Sequence, residues 1–314
     1  MMNKIRPSEY SDLLKLTVPP KEIYLADHLN GFDIDLNNSI LQHLNNISNN
    51  TCTVIWSQIL SAQLKSKYPN LQFKQKFPDW LWPQFQDYKK HPPIKINNFI
   101  CSFNGSPHVS RKLLVAALKK FDYFNPNYCS KNFAYSRDVL DGHIQDYVGD
   151  KNMFYRKFFI SEDSDIFFQT IYSFGHDRFR HNKNIYNLEN QLTQSFLHIV
   201  SETMATSYYP FLTEKMVYSI VTRGLFLAYA QPGWHSCIEK YGFKKYDKLF
   251  NYTFDSIINP VERLVELMTM VGKFKNLSEA EWQDLYLMEL DTIEYNYDHF
   301  FSGRYLEHLK QYNN

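Results

Sequence analysis

Thr213-Glu214-Lys215 holds a hydroxyl, a carboxylate and an ammonium in three consecutive residues. Met216, Val217, Ile220 and Val221 follow at helical spacing, so Thr213 stands at the N-cap and Glu214 and Lys215 in the first turn. Free backbone N–H groups at that end favour an anion, and Lys215 adds a mobile positive charge beside them. Upstream, Phe196-Leu197-His198-Ile199-Val200 has the length and β-branching of a buried strand, with Ser201-Glu202-Thr203 at its carboxyl end. Downstream, Gly224 stands where a C′ glycine would stop the helix, and Leu225 to Ala230 is a second apolar run, closed by Gln231-Pro232-Gly233. The sum is a β-loop-α-β unit. In a parallel sheet, ligands bind at the carboxyl ends of strands and at the helix starts that follow them. Lys215 would meet a phosphate, while Glu202 and Glu214 would accept from sugar hydroxyls, which together is a nucleotide-like demand. The competing reading is plainer: Glu214 complements the helix dipole and Lys215 is solvated.

A second strand-to-helix junction has the same character. Ile94 to Phe103 reads as a strand, Asn104-Gly105-Ser106-Pro107 as its turn, and His108 or Ser110 as the cap of a helix carrying Leu113, Leu114, Ala117 and Leu118. Arg111 falls in its first turn, either as another phosphate-binding cation or as an exposed helix residue. Near the N-terminus, Glu22 to Ala26 reads as a first strand feeding Asp27-His28-Leu29-Asn30-Gly31, with Asp33 just beyond. Asp27, His28 and Asp33 are the candidates for a general base, although a polar turn uses the same residue types. Two Asp-x-Asp triplets, Asp33-Ile34-Asp35 and Asp163-Ser164-Asp165, have the hard oxygens that suit Mg²⁺ or Mn²⁺, but such triplets are common by chance. His176 and His181 are a poor fit to the i,i+4 zinc pair, and the run between them reads as a solvated loop.

The elements that must position these residues alternate strand and helix. Ile40, Leu41 and Leu44 mark a helix, Thr53 to Trp56 a strand, and Ser57 the cap of a helix carrying Ile59, Leu60 and Leu64. Lys74 to Pro93, rich in proline, reads as irregular, and Lys131 to Phe158 as a mixture of short pieces. Towards the C-terminus, a helix from Trp234 to Tyr241 is stopped by Gly242. Asn259-Pro260-Val261-Glu262 and Ser278-Glu279-Ala280-Glu281 read as capping boxes. The first starts a helix to Gly272, the second a long one with Tyr286, Leu290, Ile293 and Tyr297 on one stripe.

Composition narrows the class. A net charge of +1 gives no general attraction to nucleic acid or an anionic membrane, and 44% hydrophobic with 21% charged residues is a globular balance. The four cysteines, Cys52, Cys101, Cys129 and Cys237, form no close-spaced pair, which argues against a zinc knuckle or disulfide scaffold and for a reducing compartment. The N-terminus lacks the apolar core of a secretory signal, and no apolar run approaches the ~20 residues of a transmembrane span; a cytoplasmic location is expected. Gly-x-Ser-x-Gly, Gly-x₄-Gly-Lys-Ser/Thr and Gly-x-Gly-x-x-Gly are all absent from the sequence, against a hydrolase or a nucleotide-triphosphate kinase.

Ser201-Glu202-Thr203 at a strand end, Phe211-Leu212-Thr213-Glu214-Lys215 at a helix start, Tyr241-Gly242-Phe243-Lys244 with Tyr246, then Asp255 and Pro260 to Arg263, together resemble the donor-binding region of GT-B glycosyltransferases near the α1,3-fucosyltransferases. The resemblance covers about residues 195–265. It implies two Rossmann-like domains facing across a cleft: a small acceptor-side domain, 1–95, and a nucleotide-sugar-binding domain, 96–314, with C-terminal helices. It also implies metal-independent, inverting transfer of a hexosyl or fucosyl group from a nucleotide-diphosphate sugar to a hydroxyl acceptor. Arg111 matches the arginine that meets the donor phosphates, and Lys215 joins it, with Glu202, Thr213 and Glu214 completing the donor site. The base would stand across the cleft, among Asp27, His28 and Asp33. The alternative is a catalytically silent binding or structural protein of the same fold.

Overall fold

The computed structural model describes residues 13–25, 38–56, 66–75, 85–88, 93–104, 109–131, 181–202, 205 and 212–312. It is an α/β structure with two separate parallel sheets. The first runs β1 (Glu22–Leu25), β2 (Cys52–Trp56), β3 (Leu71–Gln75) in the order β1-β2-β3, with α1 (Asn38–Ile47) between β1 and β2. Helical spacing at Ile40, Leu41 and Leu44 buries α1 against Ile23 and Val54, and this apolar cluster includes Leu13, Tyr68 and Leu71. β3 was not foreseen: its alternation of buried Leu71 with exposed Gln72 and Lys74 reads as surface in the sequence, and Lys74 and Gln75 belong to this strand rather than to an irregular stretch.

The second sheet holds β4 (Asn98–Asn104), β5 (Cys129–Lys131), β6 (Ser195–Ser201) and β7 (Phe226–Tyr229) in the order β5-β4-β6-β7. From β4 the chain moves outward to β5 through α2 (Val109–Lys120), then returns to β4's other side as β6 and continues outward to β7 through α4 (Glu214–Val221). The winding direction therefore reverses between β4 and β6, which is the topological switch point of a doubly wound sheet. β6 is buried along its whole length, as a central parallel strand should be. It follows directly on α3 (His181–Gln194), so His181 opens a helix and does not lie in a loop.

α4 lies across the β6 face that carries Phe196, His198 and Glu202. His198 fixes its C-terminal half. The ring Nε2–H donates to the Leu192 carbonyl at 2.7 Å, so Nδ1 accepts from the Ser219 hydroxyl at 2.9 Å. Burial depresses the pKa of this imidazole to about 4, only partly offset by the Leu192 carbonyl. The helix ends in a Schellman motif, with Arg223 N–H on Ile220 O and Gly224 N–H on Ser219 O. The left-handed residue is Arg223 (φ 59°), not Gly224 as expected from sequence. Gly224 is needed for space: a Cβ there would run into the imidazole ring of His198. At Gly242 (φ 84°), which closes α5 (Trp234–Lys240), the glycine stop holds as expected.

C-terminal helices complete the second core. α6 (Pro260–Gly272) is capped by Asn259, whose side chain accepts from both Val261 and Glu262 N–H, while the reciprocal capping box forms at Ser278 and Glu281. The expected long helix is two, α7 (Glu279–Met288) and α8 (Leu290–Phe301), parted at fully buried Glu289, whose Oε1 accepts from Lys248 N–H at 2.7 Å. A backbone donor outside the helices claims the carboxylate at the break. α9 (Tyr305–Tyr312) follows, and no described helix is long and apolar enough to cross a membrane. Trp282 of α7 stacks on Phe99 of β4 at 5.6 Å and 17°, and on Phe196 of β6 at 6.3 Å and 14°.

Gly224→Ala is expected to destabilise the fold by at least the ~1–3 kcal/mol typical of overpacking, because two hydrogen bonds prevent His198 from moving aside. Pairing it with His198→Ala should recover part of that loss relative to His198→Ala alone, as read by denaturant unfolding of the four proteins in a double-mutant cycle. Additive losses would mean the ring is not the obstacle.

Candidate functional site

The carboxyl ends of β4 and β6 and the first turns of α2 and α4 converge at the switch point. Ser110, second residue of α2, donates its hydroxyl to the Glu202 carbonyl at 2.9 Å, and Glu202 N–H donates to Tyr229 O of β7 at 3.1 Å. Glu202 Oε1 accepts from Thr213 N–H at 3.2 Å, just ahead of α4. One residue thus joins four elements. Arg111 and Lys112, the next residues of α2, are both buried, at 5% and 3% exposure, and burial lowers the Lys112 pKa. Sequence reading missed Lys112; two adjacent cations in one first turn were the signal.

Thr213 caps α4 as expected. Its Oγ1 accepts from Lys215 N–H at 3.3 Å and from the Lys215 ammonium at 3.1 Å, while Glu214 Oε1 accepts from the same ammonium at 3.2 Å. The Glu214 and Lys215 side chains are 16% and 14% exposed. Lys215 is therefore folded back onto its own helix start, within reach of solvent.

Glu202 departs from the expectation of a surface contact to a hydroxyl. It has no exposure, and its Oε2 has no hydrogen-bond partner among the described residues. Burial raises its pKa to about 7, against the opposing pull of Lys215 and of the Thr213 hydrogen bonds. Fully buried Asn104 at the end of β4 likewise has an Oδ1 without a partner among the described residues. Such atoms cost free energy unless something satisfies them, and both lie at the carboxyl edge of the sheet.

Arg263 of α6 braces this edge from beneath. It is 1% exposed and donates to the carbonyls of Ala230 (3.0 Å), Ile258 (3.0 Å), Ile257 and Ala205, the last in the segment between Glu202 and Thr213. The resemblance included Arg263 without a role; here it ties that segment to the end of β7. Asp255 and His235 form a buried pair, His235 Nδ1–H donating to Asp255 Oδ1 at 2.8 Å. It resembles a catalytic dyad in outline only. His235 Nε2 accepts from Ala228 N–H of edge strand β7 at 3.0 Å, and the carboxylate also takes the N–H groups of His235 and Ser236. Burial opposes the ionised Asp255, but the hydrogen bonds from His235 and Ser236 outweigh it and hold the pKa below the usual carboxylate range. Both ring nitrogens are occupied, so the pair is structural: it satisfies a strand edge and the start of α5.

Asp27, His28 and Asp33, and both Asp-x-Asp triplets, lie outside the described residues. Cys52, Cys101, Cys129 and Cys237 are buried free thiols, and burial raises the pKa of Cys129 to about 12 and of Cys52 and Cys237 to about 11, away from nucleophilic use. Among the described residues, no group of three or more His, Cys, Asp or Glu is placed to hold a metal. Comparisons with protein-family models, with curated proteins and with solved structures give no match to this chain.

Because the folded-state pKa of Glu202 is raised, the folded chain binds a proton that the unfolded chain releases between about 4.5 and about 7. Its contribution to stability is present in full below that window and lost as pH rises through it, amounting to at most ~3 kcal/mol for a shift of this size. Glu202→Gln keeps the acceptor for Thr213 but cannot titrate. Unfolding free energies measured across this pH window should fall more steeply for wild type than for Glu202→Gln. Parallel curves would mean that Glu202 does not carry the proton.

Proposed function

We propose that the chain is a glycosyltransferase of GT-B type, moving a sugar from a nucleotide-diphosphate donor to an acceptor hydroxyl. The observation that supports this reading is the meeting of two helix starts at the β4/β6 switch point: Ser110, beside Arg111 in the first turn of α2, donates to the Glu202 carbonyl, and Thr213 at the start of α4 donates its N–H to Glu202 Oε1. A donor diphosphate there meets the N-termini of two helices and two side-chain cations, which neutralise the charge that develops on the leaving group. Glu214, partly exposed beside Lys215, is the acceptor for a ribose or sugar hydroxyl; Glu202 acts from beneath. No metal is needed for this chemistry, because the cations are supplied by the protein.

The first sheet would be the acceptor side, facing the second across the cleft. Asp27 and His28 follow the carboxyl end of β1, with Asp33 just beyond, and a base that deprotonates the acceptor hydroxyl in an inverting transfer is assigned among these three. A cytoplasmic enzyme acting on a glycan or another hydroxyl acceptor fits this reading. The burial of Glu202 favours one alternative, a catalytically silent binding or structural protein that keeps the nucleotide site.

Thermal stabilisation by a panel of nucleoside diphosphates should single out one base, and calorimetry then gives its affinity. Lys215→Ala should weaken that ligand roughly tenfold to a hundredfold, about 1.5–3 kcal/mol, with Lys215→Arg recovering only part. Stability should change by less than about 0.5 kcal/mol, since the hydrogen bonds of the ammonium among the described residues go to its sequence neighbours Thr213 and Glu214. Turnover of the matching nucleotide-sugar should survive EDTA. Equal affinities across the three proteins would remove Lys215 from the site, and binding without turnover would support the silent alternative.

A further inference from the structure

We propose that Glu202 is a positioning residue of the anion site at the start of α4, and that its buried carboxyl takes up a proton from solvent when an anion engages Lys215. The inference rests on the nucleotide-diphosphate reading of the same site and adds a proton to it. Glu202 Oε1, Thr213 N–H, Thr213 Oγ1 and the Lys215 ammonium are linked by contacts of 3.2 Å and 3.1 Å through one residue. The carboxyl has no exposure, so water does not screen the charges around it. The charged groups that act on it are Lys215 and Glu214 of α4; the α2 turn is joined to its carbonyl through Ser110, and Tyr229 of β7 takes the Glu202 N–H on its own carbonyl.

The ammonium of Lys215 favours ionised Glu202 across this short path, while Glu214 disfavours it. A phosphate that draws the ammonium away from Thr213 neutralises the cation and adds negative charge of its own. Both changes act in one direction, towards protonated Glu202. Oε1 is already an acceptor for Thr213 N–H, so the proton belongs on Oε2, the oxygen with no partner among the described residues. A neutral carboxyl there keeps the Thr213 cap in place, whereas a carboxylate would repel the anion. Thermodynamic linkage then makes anion binding tighter at lower pH, by up to about tenfold per pH unit where one full proton is coupled.

Inorganic pyrophosphate is the probe. Titration calorimetry near pH 7 in buffers of different ionisation enthalpy counts the protons taken up, and Glu202→Gln measured identically cancels the probe's own titration. Wild type should take up a larger fraction of a proton than Glu202→Gln, and its affinity should fall roughly three- to tenfold more between about pH 6 and 8. If Glu202→Gln does not fold, the infrared difference spectrum of wild type with and without pyrophosphate should gain a protonated-carboxyl C=O band. Equal proton counts, or no such band, overturn the proposal. If in that case Lys215→Ala still weakens pyrophosphate, the diphosphate site stands and only the role of Glu202 fails. Absence of pyrophosphate binding to wild type overturns both.

Discussion

A carboxyl group closed off from water at the end of β6 is the most demanding feature of this structure. Taking an ionised carboxylate into a protein interior costs several kcal/mol unless partners replace its hydration. Glu202 meets that cost in two ways. Its backbone is fixed on both sides, by Ser110 of α2 and by the end of β7, so the side chain is held just past the end of the central strand. Its pKa is displaced upward, so near neutrality a large fraction of the molecules need not bury a charge. The start of α4 is then tied to this carboxyl at Thr213, and with it the position of Lys215. An exposed carboxylate would give neither the fixed geometry nor the sensitivity to neighbouring charge.

The parts of this arrangement that were legible in the sequence are those set by local chemistry. Thr213 caps a helix because its hydroxyl satisfies a free N–H two residues on, a rule that needs no knowledge of the rest of the chain. The run Phe196 to Val200 is a strand because five apolar or β-branched residues in a row suit burial on both faces. Strand order is different. That β4 lies beside β6, and so that the helices following these two strands start at the same edge of the sheet, depends on contacts about a hundred residues apart, and no local pattern encodes it.

The misreadings also have local causes. Gly224 was assigned to a helix stop because glycine most often takes the left-handed position. Here Arg223 takes it, held by Glu294 and by the face of Tyr297 at 5.5 Å, and glycine is required one residue later by an imidazole from another strand. The α7–α8 stripe runs through Tyr286, Ile293 and Tyr297 as expected, yet the helix breaks at Glu289. Periodicity identifies the buried face and is blind to a buried carboxylate recruited by Lys248 N–H. α3 was missed because its apolar residues, Ile185, Leu188 and Leu192, are diluted by asparagine and glutamine on the other faces.

Buried polar groups separate scaffold from site in this chain. His198, His235 and Asp255 are as deeply buried as Glu202, but each recorded nitrogen or oxygen is matched to a donor or acceptor of the fold itself. A group whose bonding capacity is used up by the scaffold has nothing left to offer a ligand, and its burial is an argument about stability. Glu202 and Asn104, like Glu289 at the α7–α8 break, each keep one oxygen without a partner among the described residues; those of Glu202 and Asn104 lie at the carboxyl edge where the sheet reverses its winding. Cations occupy the first turns of α2 and α4, where the helix dipole opposes positive charge. Lys215 offsets that opposition by folding onto Thr213 and Glu214, an arrangement an incoming phosphate can replace with a stronger one. On the function proposed above, cations held against a dipole, beside acceptors left without donors, would have their electrostatics completed by a ligand that is anionic at one end and hydroxylated at the other.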